Sequence, residues 1–442
     1  MVRLNVGLDD TDSRQGNCTT YIAAVLIERL ARLNVSFTDY PNLIRLNPNI
    51  PWKTRGNAAV ALRAEVEESI LEPTIRLIVE TVEDLSDLQA QGTDTAIVLH
   101  QGEIPEDYVN FSRRAMWDLI PVADARREIR RHCTEALTYN SQKGLVGALA
   151  AIGNRLEDDH TYEYVAYREK RFWGTERKID ADSVLNMDLR TQQFTFNNVD
   201  PETHRILITP RGPDPVLFGV RGESPDAVER AARMISVGEP IERWVIFRTN
   251  QGTDAHFSNK SLIGNIKPFQ SVVVEGRVSS KPKTQIGGHV FFTIEDHTGR
   301  IECAAYEQTG SFREDVRKLM PGDLVIVYGG VRKASKSFPR AINVEKIEIL
   351  ELVEDVARSN PLCPVCSKRL KSMGRAQGLR CEHCGYKTRD RTKQEVKLQR
   401  SIDKGLYMPP PRAHRHLTKP LKRYGREISQ ARIKLIETWH QP

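Results

Sequence analysis

Four of the seven cysteines of this 442-residue chain form two close pairs near its C-terminal end. Cys363 and Cys366 make the first pair, and Cys381 and Cys384 make the second after a gap of fourteen residues. This spacing predicts a zinc ribbon, because each pair forms a turn whose two thiolates bind one tetrahedral Zn²⁺. Since all four ligands come from the protein, we expect the metal to be structural. Two unlinked redox pairs are the alternative.

Length and cysteine usage narrow the class of protein further. A chain of 442 residues is too long for one hydrophobic core, so about three or more domains are expected. No stretch of about 18 apolar residues and no apolar leader occurs, so we expect a soluble, cytoplasmic protein with no membrane partner. The remaining cysteines have no partner spacing, which indicates a reducing compartment rather than a disulfide framework; they are Cys18, Cys133 and Cys303.

Positive charge is concentrated towards the C-terminal end. The net charge is +7, and residues 386–442 alone carry 15 Lys and Arg against 5 Asp and Glu, so the rest of the chain is slightly negative. If the protein has a polyanionic partner, we expect the partner to bind near the C-terminal end.

Residues 1–125 alternate strand and helix signals and therefore predict an α/β domain. The first strand, at 4–8, is followed by an amphipathic helix at 21–33. Further strands are expected at 57–65 and 95–99.

Residues 126–255 predict a ferredoxin-like α+β domain, because strands flank helices in this order. One helix, at 144–153, consists of small residues, and another has Ser224 as N-cap and Pro225 in its first turn. The expected strands lie at 161–167, 215–220 and 244–248.

Residues 265–352 carry strand signals throughout, with one helix at 312–320. Three strands, one helix and two strands is the order of an OB-fold barrel, a fold that binds single-stranded nucleic acid. The zinc ribbon is expected over 358–400, followed by a basic tail over 401–442 in which three prolines at 409–411 act as a stiff spacer. The fold class is therefore α+β multidomain, and the oligomeric state stays open.

A dense cluster of polar side chains follows the first strand. Asp9, Asp10 and Asp12 crowd one turn, where ionised carboxylates repel each other and serve no packing purpose. A hard cation that carries nucleotide phosphates needs such oxygen ligands, and the next helix offers unpaired N–H groups to phosphate. The cluster predicts a metal-nucleotide site, with phosphate contacts from Thr11, Ser13, Gly16, Thr19 and Thr20. The alternative is a helix cap with solvated acids.

Two basic segments have open interpretations. Lys53 and Arg55 stand beside a flexible backbone and are expected either to hold phosphate or RNA or to form a basic surface turn. Lys143 and Gly144 begin the small-residue helix and suggest a phosphate loop. The Walker pattern is absent, however, and close helix packing explains the glycine equally well.

Further cations lie beside predicted strands. Arg211 and Arg221 bracket one strand, and they either reach a shared cleft or lie in surface turns. Arg277, Arg332 and Lys333 lie beside barrel strands, where a cation has little packing value. We therefore expect these last three to contact RNA.

Several stretches resemble one known family, in order and over nearly the whole chain. They are GLDDTDSRQGNCTTYIA, LIRLNPNIPWKTRGNAAV, KGLVGALAAIG followed by HTYEYVAYR, DPVLFGVRGESPDA and NQGTDAH. Together with the barrel and the ribbon, these stretches look like the archaeal tRNA agmatidine synthetases.

The resemblance implies a fold and an activity. The family has an unusual kinase-like N-terminal domain, a ferredoxin-like domain, an OB-fold and a zinc ribbon. Its members use ATP to attach agmatine to C2 of the wobble cytidine in the CAU-anticodon isoleucine tRNA, by way of a phosphorylated C2 oxygen, and they release AMP. By motif, Asp9, Asp10 and Asp12 would hold Mg²⁺ and polarise ATP, and Thr19 matches a threonine that becomes phosphorylated.

The residues alone leave two other functions open. A non-catalytic single-stranded nucleic-acid-binding protein would use the barrel, the ribbon and the tail. Such a protein has no use for the acidic turn or for the adjacent threonines Thr19 and Thr20. A tRNA ligase or aminoacylation factor is weaker still, because no signature loop for adenylate chemistry is visible.

Overall fold

The computed structural model describes residues 1–13, 16–53, 56–336, 338–374, 377–429 and 434–442. Among these residues, none of the helices combines the length and the apolar character needed to cross a membrane. Short 3-10 helices occur in the connections, at Glu68–Ile70, Lys170–Phe172, Ala255–Phe257, Ile263–Asn265, Glu307–Thr309, Pro411–Ala413 and Leu421–Arg423.

The N-terminal part of the chain packs helices against an antiparallel sheet. Its strands are β1 (Val2–Asp9), β2 (Ser36–Phe37), β3 (Asn42–Arg45), β4 (Ala58–Val66), β5 (Ala96–Gln101) and β6 (Glu135–Thr138). Its helices are α1 (Thr19–Ala31), α2 (Leu71–Leu85), α3 (Glu106–Ala115), α4 (Val122–Arg131) and α5 (Gly144–Gly153). Strand β1 lies between β4 and β5 and is buried on both faces, which explains its nearly continuous apolar run.

The following part contributes more strands to the same sheet. Its elements are β7 (Thr161–Arg168), α6 (Ala181–Thr191), β8 (Thr195–Phe196), β9 (Val216–Gly222), α7 (Pro225–Ala232) and β10 (Ile241–Thr249). Strand β10 pairs in parallel with β3, so the strands run continuously in the order β6-β5-β1-β4-β3-β10-β7-β9-β8. The sheet therefore crosses the boundary predicted at residue 125, and β6 and α5 pack against the N-terminal strands.

Two apolar cores lie on the two faces of this sheet. One contains side chains of α1 and α7 together with those of β7 and β10, and it therefore spans both predicted domains. The other lies between the sheet and the helices α3, α4 and α5. Because α1 and α5 approach β1 from opposite faces, the turn that follows β1 is enclosed between two helices.

The next part is a closed barrel, as predicted. Its elements are β11 (Ser271–Val278), β12 (Lys283–Thr284), β13 (Val290–Asp296), β14 (Gly299–Ala305), α8 (Phe312–Arg317), β15 (Leu324–Arg332) and β16 (Ala341–Glu351). Five strands pair in the order β11-β15-β16-β14-β13, and pairing of β11 with β13 closes the ring. The interior consists of alternating apolar side chains such as Val272, Val274 and Phe292.

A small ribbon follows the barrel. Strands β17 (Asp355–Ser359) and β21 (Gln394–Leu398) form its base, and β18 (Lys371–Ser372), β19 (Leu379–Arg380) and β20 (Lys387–Thr388) form a three-stranded sheet between them. The four cysteines lie in and beside this sheet, and its small core adds Leu370 and Leu379.

The C-terminal segment, residues 401–442, does not extend from the protein as a tail behind a proline spacer. Strand β22 (Gly405–Tyr407) pairs with β16 of the barrel, and β23 (His440–Gln441) pairs with β10 of the large sheet. Between them, Arg423 is fully buried and forms ion pairs with Asp159 and Glu223. The positive charge of Arg423 is therefore neutralised inside the protein. The sequence could not reveal this, because Glu223 and Asp159 precede Arg423 by 200 and 264 residues.

Replacement of Trp439 by alanine tests whether the C-terminal segment is docked. Trp439 is 7% exposed, and its ring packs edge-on at 5.7 Å from Phe37 and 6.0 Å from Tyr40. We expect Trp439→Ala to lower the free energy of unfolding by about 3 kcal/mol or more, because a large cavity is left behind. Chemical denaturation of the full chain measures this. Trp52→Ala is the control, since Trp52 is 49% exposed; equal losses in both variants would contradict the docking.

Candidate functional site

The turn after β1 is shaped by contacts with the start of β5. Asp10 adopts a left-handed backbone conformation with φ of 53°, which folds the chain back on itself. The Asp94 amide donates to Asp10 Oδ2 at 3.1 Å, and the Thr95 hydroxyl donates to the Asp10 carbonyl at 3.0 Å. The Thr93 hydroxyl donates to the Asp12 carbonyl at 2.9 Å. Residues 93–95 therefore hold the acidic turn, a role that sequence reasoning missed.

Helix α5 begins directly against this turn. A Cβ atom on Gly147 would lie 1.9 Å from Asp9 Oδ2, and one on Gly144 would lie 2.4 Å from the Asp94 carbonyl oxygen. Only glycine allows the helix to come this close, so close packing accounts for both glycines. The same approach places the positive end of the helix dipole beside the carboxylates, while the Gly144 amide donates to the Asp94 carbonyl at 3.2 Å.

The carboxylates of the turn are electrostatically strained. Burial, followed by the neighbouring Asp10 and Asp12, holds the pKa of Asp9 well above its usual range. Burial and then Asp12 raise the pKa of Asp10 to about 7. Lys143 offers partial compensation, because its Nζ lies 3.2 Å from Asp94 Oδ2. A cation bound beside these carboxylates would relieve the repulsion.

Hydroxyl groups line the other side of the turn. Thr19 is the first residue of α1, is 7% exposed, and has its Oγ1 3.0 Å from Oγ1 of Thr11. Thr20 Oγ1 lies 3.0 Å from the Cys18 thiol. The Ser13 amide donates to the Gly16 carbonyl at 3.0 Å, and this bond closes the loop between turn and helix.

These groups open onto one cleft with two connected parts. The acidic part, of about 790 Å³, is lined by Asp9, Asp10, Asp12, Trp52, Lys53, Lys143 and Gly144. The basic part, of about 1060 Å³, is lined by Thr19, Thr20, Arg45, Glu163, Arg221 and His416. Asp12, Gly56 and Ala58 line both parts. The basic part thus joins residues from the N-terminal strands, from β7 and β9, and from the C-terminal segment.

Some of the cations predicted near the site line the cleft, and others do not. Lys53 lines the acidic part. Arg221 lines the basic part, so of the two positions expected for it, a cleft or a surface turn, it occupies the cleft. Arg211 is exposed and lines neither part, and Arg55 lies outside the described residues. Arg45, Glu163 and His416 were not predicted as site residues, although the first two stand within the quoted stretches. His416 carried no signal of its own.

The cations predicted on the barrel lie away from the cleft. Arg277 is exposed and pairs with Glu351 at 3.1 Å. Arg332 lies over the exposed ring of Phe338, 5.2 Å from its centroid, and Lys333 is exposed beside it. Arg332 is half-buried and donates to the Pro339 carbonyl at 3.1 Å, so the exposed ring of Phe338 and the exposed Lys333 are the groups that are open to a nucleic acid.

The four ribbon cysteines fit a tetrahedral zinc site. Sγ of Cys363 lies 3.4 Å from Sγ of Cys384, and Sγ of Cys366 lies 3.4 Å from that of Cys381. All four ligand atoms lie within 4.8 Å of one another. Within the described part of the chain, the other set that meets this criterion is Asp107, Glu128 and His132. The aspartates of the acidic turn do not meet this criterion, so they would hold an ion only together with ligands from elsewhere.

Four family models match the chain in succession. They are described as the TiaS TCKD domain over residues 5–141, the TiaS FLD domain over 142–256, an OB-fold nucleic acid binding domain over 272–350 and the TiaS C-terminal zinc ribbon domain over 360–402. The predicted barrel and ribbon are thereby confirmed.

Whole-chain relatives agree with these models. The isoleucine-tRNA 2-agmatinylcytidine synthetase TiaS of Methanosarcina mazei is 41% identical over 95% of this chain and 97% of its own, and that of Pyrococcus horikoshii is 42% identical over 95% and 96%. The solved structure of apo TiaS superposes with a TM-score of 0.87 at 39% identity, covering 95% of this chain and 97% of that one. A solved complex of TiaS with an isoleucine tRNA and ATP gives 0.85 at 38% identity, covering 97% and 100%. The chain therefore belongs to the isoleucine-tRNA 2-agmatinylcytidine synthetase (TiaS) family.

Proposed function

We propose that this chain attaches agmatine to C2 of the wobble cytidine in the isoleucine tRNA with the CAU anticodon, using ATP. The observation that carries this proposal is the cleft, onto which both the acidic turn and Thr19 open. Family members have been solved in complex with an isoleucine tRNA and ATP, and with that tRNA, AMPCPP and agmatine. A non-catalytic binding protein would need neither the strained carboxylates nor the hydroxyl beside them.

The chemistry explains why phosphate handling and RNA binding share one protein. The C2 oxygen of cytosine is a poor leaving group, so it is first phosphorylated. The agmatine amine then forms a bond to C2 while the C2–O bond breaks, phosphate leaves with the electron pair, and the amine loses a proton. As the family resemblance implies, we propose that AMP is the nucleotide product: one phosphoryl group passes to the C2 oxygen and leaves as phosphate, and water cleaves the remaining diphosphate to AMP and a second phosphate.

Residues of the acidic part suit the nucleotide. Asp9, Asp10 and Asp12 would hold Mg²⁺, which when bound neutralises phosphate charge and orients the polyphosphate. The raised pKa values of Asp9 and Asp10 support this, because burial and the neighbouring carboxylates outweigh the compensation that Lys143 gives to Asp10. Further phosphate contacts are proposed from Lys143, Ser13, Gly16 and Thr20. Three of the predicted contacts are not proposed again: the Gly144 amide is bonded to the Asp94 carbonyl, Thr11 is fully buried against Thr19, and Arg211 lines neither part of the cleft.

Thr19 is proposed as the hydroxyl that takes part in phosphoryl transfer. Its Oγ1 is held by Thr11, and it lines the basic part beside the shared wall at Asp12. Fixing the hydroxyl in this way removes rotational freedom that would otherwise oppose reaction. The N-terminal residues 1–125 then act as the kinase-like unit and residues 126–255 as the ferredoxin-like unit beside it.

The remaining parts hold the RNA. The wobble base must leave the anticodon stack to enter the cleft, and unstacking is least costly in a loop. We propose tRNA contacts from Lys53 at the cleft and from Arg277, Arg332 and Lys333 on the barrel, and we extend the proposal to Arg55, which lies outside the described residues. The ribbon, stabilised by Zn²⁺, adds a second place of contact far from the reacting base.

The activity itself is tested by incubating the full chain with ATP, Mg²⁺, agmatine and the CAU-anticodon isoleucine tRNA. Mass spectrometry of the digested tRNA is expected to show one cytidine converted to the agmatine adduct, with AMP formed in step. The same tRNA with a GAU anticodon is the control, since it lacks the target cytidine. Unmodified CAU tRNA after complete incubation would refute the proposal.

Thr19→Ala is expected to lower the rate of modification by about a thousandfold or more, because the proposed reacting hydroxyl is removed. Affinity for the tRNA should stay within about twofold of wild type, measured by filter binding. Thr19→Ser keeps a hydroxyl and is expected to retain substantial activity. Accumulation of modified tRNA at the wild-type rate in Thr19→Ala would remove this role.

Gly147→Ala tests the geometry of the acidic turn. Its Cβ would lie 1.9 Å from Asp9 Oδ2, so the carboxylate must move. A displacement of this size is expected to lower the modification rate by about a hundredfold. Gly299→Ala is the control, because its Cβ would lie 3.6 Å from its nearest neighbour, at ordinary contact distance. Undiminished activity in Gly147→Ala would contradict the importance of this contact.

Cys381→Ser is expected to release the zinc and then to weaken tRNA binding by about tenfold, because the ribbon loses its fold. Metal analysis gives the zinc content per chain, and filter binding gives the affinity. Cys133→Ser is the control, since Cys133 is exposed and outside the ribbon. Stoichiometric zinc in Cys381→Ser would exclude the four-cysteine site, and unchanged affinity would exclude the ribbon as a tRNA contact.

A further inference from the structure

One group of cleft residues has no part in the reaction described above. We call the basic end the group formed by Arg45 of β3, Arg221 of β9, and Arg415 and His416 of the C-terminal segment. Arg45 and Arg221 line the basic part of the cleft, and Arg221, Arg415 and His416 line a connected recess of about 530 Å³. The His416 ring also contacts the N-terminal strands, because a Cβ on Gly56 would lie 2.9 Å from its Nε2.

Positive charge exceeds negative charge at the basic end. Glu163 is shared between two arginines, with Oε1 3.0 Å from Arg221 Nε and Oε2 3.6 Å from Arg45 Nη2. No carboxylate among the described residues lies within ion-pair distance of the Arg415 guanidinium, and no carboxylate lines the recess. Asp12 and Asp214 also line the basic part, whereas the charged side chains that line the recess are the cations Arg221, Arg412 and Arg415. The recess is therefore the place where positive charge favours an anionic ligand.

The basic end is held rigidly although Arg415 and His416 are themselves exposed. The Gly252 amide donates to the His416 carbonyl at 2.9 Å, and the Asp254 amide donates to the Leu417 carbonyl at 2.7 Å. Leu417 and Thr418 are each 1% exposed, so the segment is anchored immediately after the two basic residues. The anchoring loop is the NQGTDAH stretch, and this role accounts for its polar character.

We propose that the basic end is a phosphate-binding site, in which Arg221 and Arg415 donate hydrogen bonds to the phosphate oxygens and His416 contacts the same group. Planar guanidinium groups match phosphate oxygens in geometry and charge. Two sources carry this chemistry, the polyphosphate of the nucleotide and the phosphodiester of the RNA beside the target base. The assignment of these sources rests on the proposed function, whereas the site itself does not.

His416 gives the site a measurable proton signature. The pKa of His416 is held well below its usual range, first by Arg45, then by the partial enclosure of the ring, and then by Arg221 and Arg415. The other charged groups near the basic end are Glu163 on β7, Asp12 and Asp214 along the basic part, Arg412 in the recess and, around Arg415, Lys53 and Glu345. A bound anion would offset the arginines and raise the pKa of His416. The imidazole would therefore take up a proton when phosphate binds and lose it when phosphate leaves.

Calorimetric titration of the full chain without agmatine tests the site independently of turnover. The probes are pyrophosphate and the trinucleotide CpApU without terminal phosphate. Arg415→Gln is expected to weaken binding of the probe that occupies the site by about tenfold or more, since a charge-assisted contact is lost. If Arg415→Gln loses affinity for pyrophosphate alone, the site belongs to the nucleotide; if it loses affinity for CpApU alone, the site belongs to the RNA. Lower affinity for both probes indicates that both ligands use the site.

Arg426→Gln is the matched control, because Arg426 lies in the same segment, is exposed, and donates only to the Gln193 carbonyl at 2.9 Å. It should bind both probes as wild type does. Three results would overturn the site: wild-type affinity of Arg415→Gln for both probes, an equal loss in Arg426→Gln, or no binding of either probe to the wild-type chain at millimolar concentration. Loss of catalysis with these bindings intact would instead count against the proposed function.

The same titrations in two buffers of different ionisation enthalpy report proton uptake near pH 6.5. Wild type is expected to take up more protons on binding than His416→Gln does, and the titration of the probe itself cancels in this difference. Equal proton uptake in the two proteins would show that His416 does not contact the bound anion.

Discussion

The close approach of helix α5 to strand β1 is the contact on which the site depends. A Cβ on Gly7 would lie 2.2 Å from the Ala148 carbonyl oxygen, and Gly147 faces Asp9 in the same way. Helix and strand therefore meet without intervening side chains, and the end of β1 is enclosed. Enclosure removes water from Asp9 and Asp10, and their pKa values rise because the charged forms are poorly solvated. The packing of small residues thus creates the carboxylates' need for a cation.

The cleft exists because distant parts of the chain share one sheet. Parallel pairing of Asn42 with Arg248 and of Leu43 with Thr249 joins the N-terminal strands to β10, and β7 and β9 follow in the sheet. This order brings Arg45 opposite Glu163 and Arg221. The C-terminal segment then returns across β10 and closes the cleft from a third side. The residues that line the cleft consequently belong to one continuous sheet and to the segment docked on it, rather than to modules on linkers.

Features with a local cause were predictable from the sequence. The small-residue helix spans Gly144–Gly153 as expected, and Ser224 caps α7 by accepting a hydrogen bond from the Ala227 amide at 3.2 Å. The zinc ribbon was predictable from the spacing of its cysteines, and the barrel was predictable from the order of its strands and helix along the chain. The support of the acidic turn by residues 93–95 could not be predicted, because it joins positions about 80 residues apart through polar contacts without periodicity. The docked C-terminal segment was missed for the same reason, since basic composition does not reveal buried partners.

The acidic part of the cleft and the basic end carry opposite charge, and this difference gives the cleft a direction. Carboxylates in the acidic part repel bare phosphate and accept a nucleotide only with its metal, whereas the arginines of the basic end accept phosphate directly. Asp12 belongs to the wall that both parts share, and Thr19 lines the basic part beside it. A hydroxyl at this position can meet a metal-bound nucleotide from one side and a base from the other. Under the proposed function, this order of charges puts the metal-bound nucleotide at the acidic part and leaves the basic end to hold a phosphate of either substrate next to it.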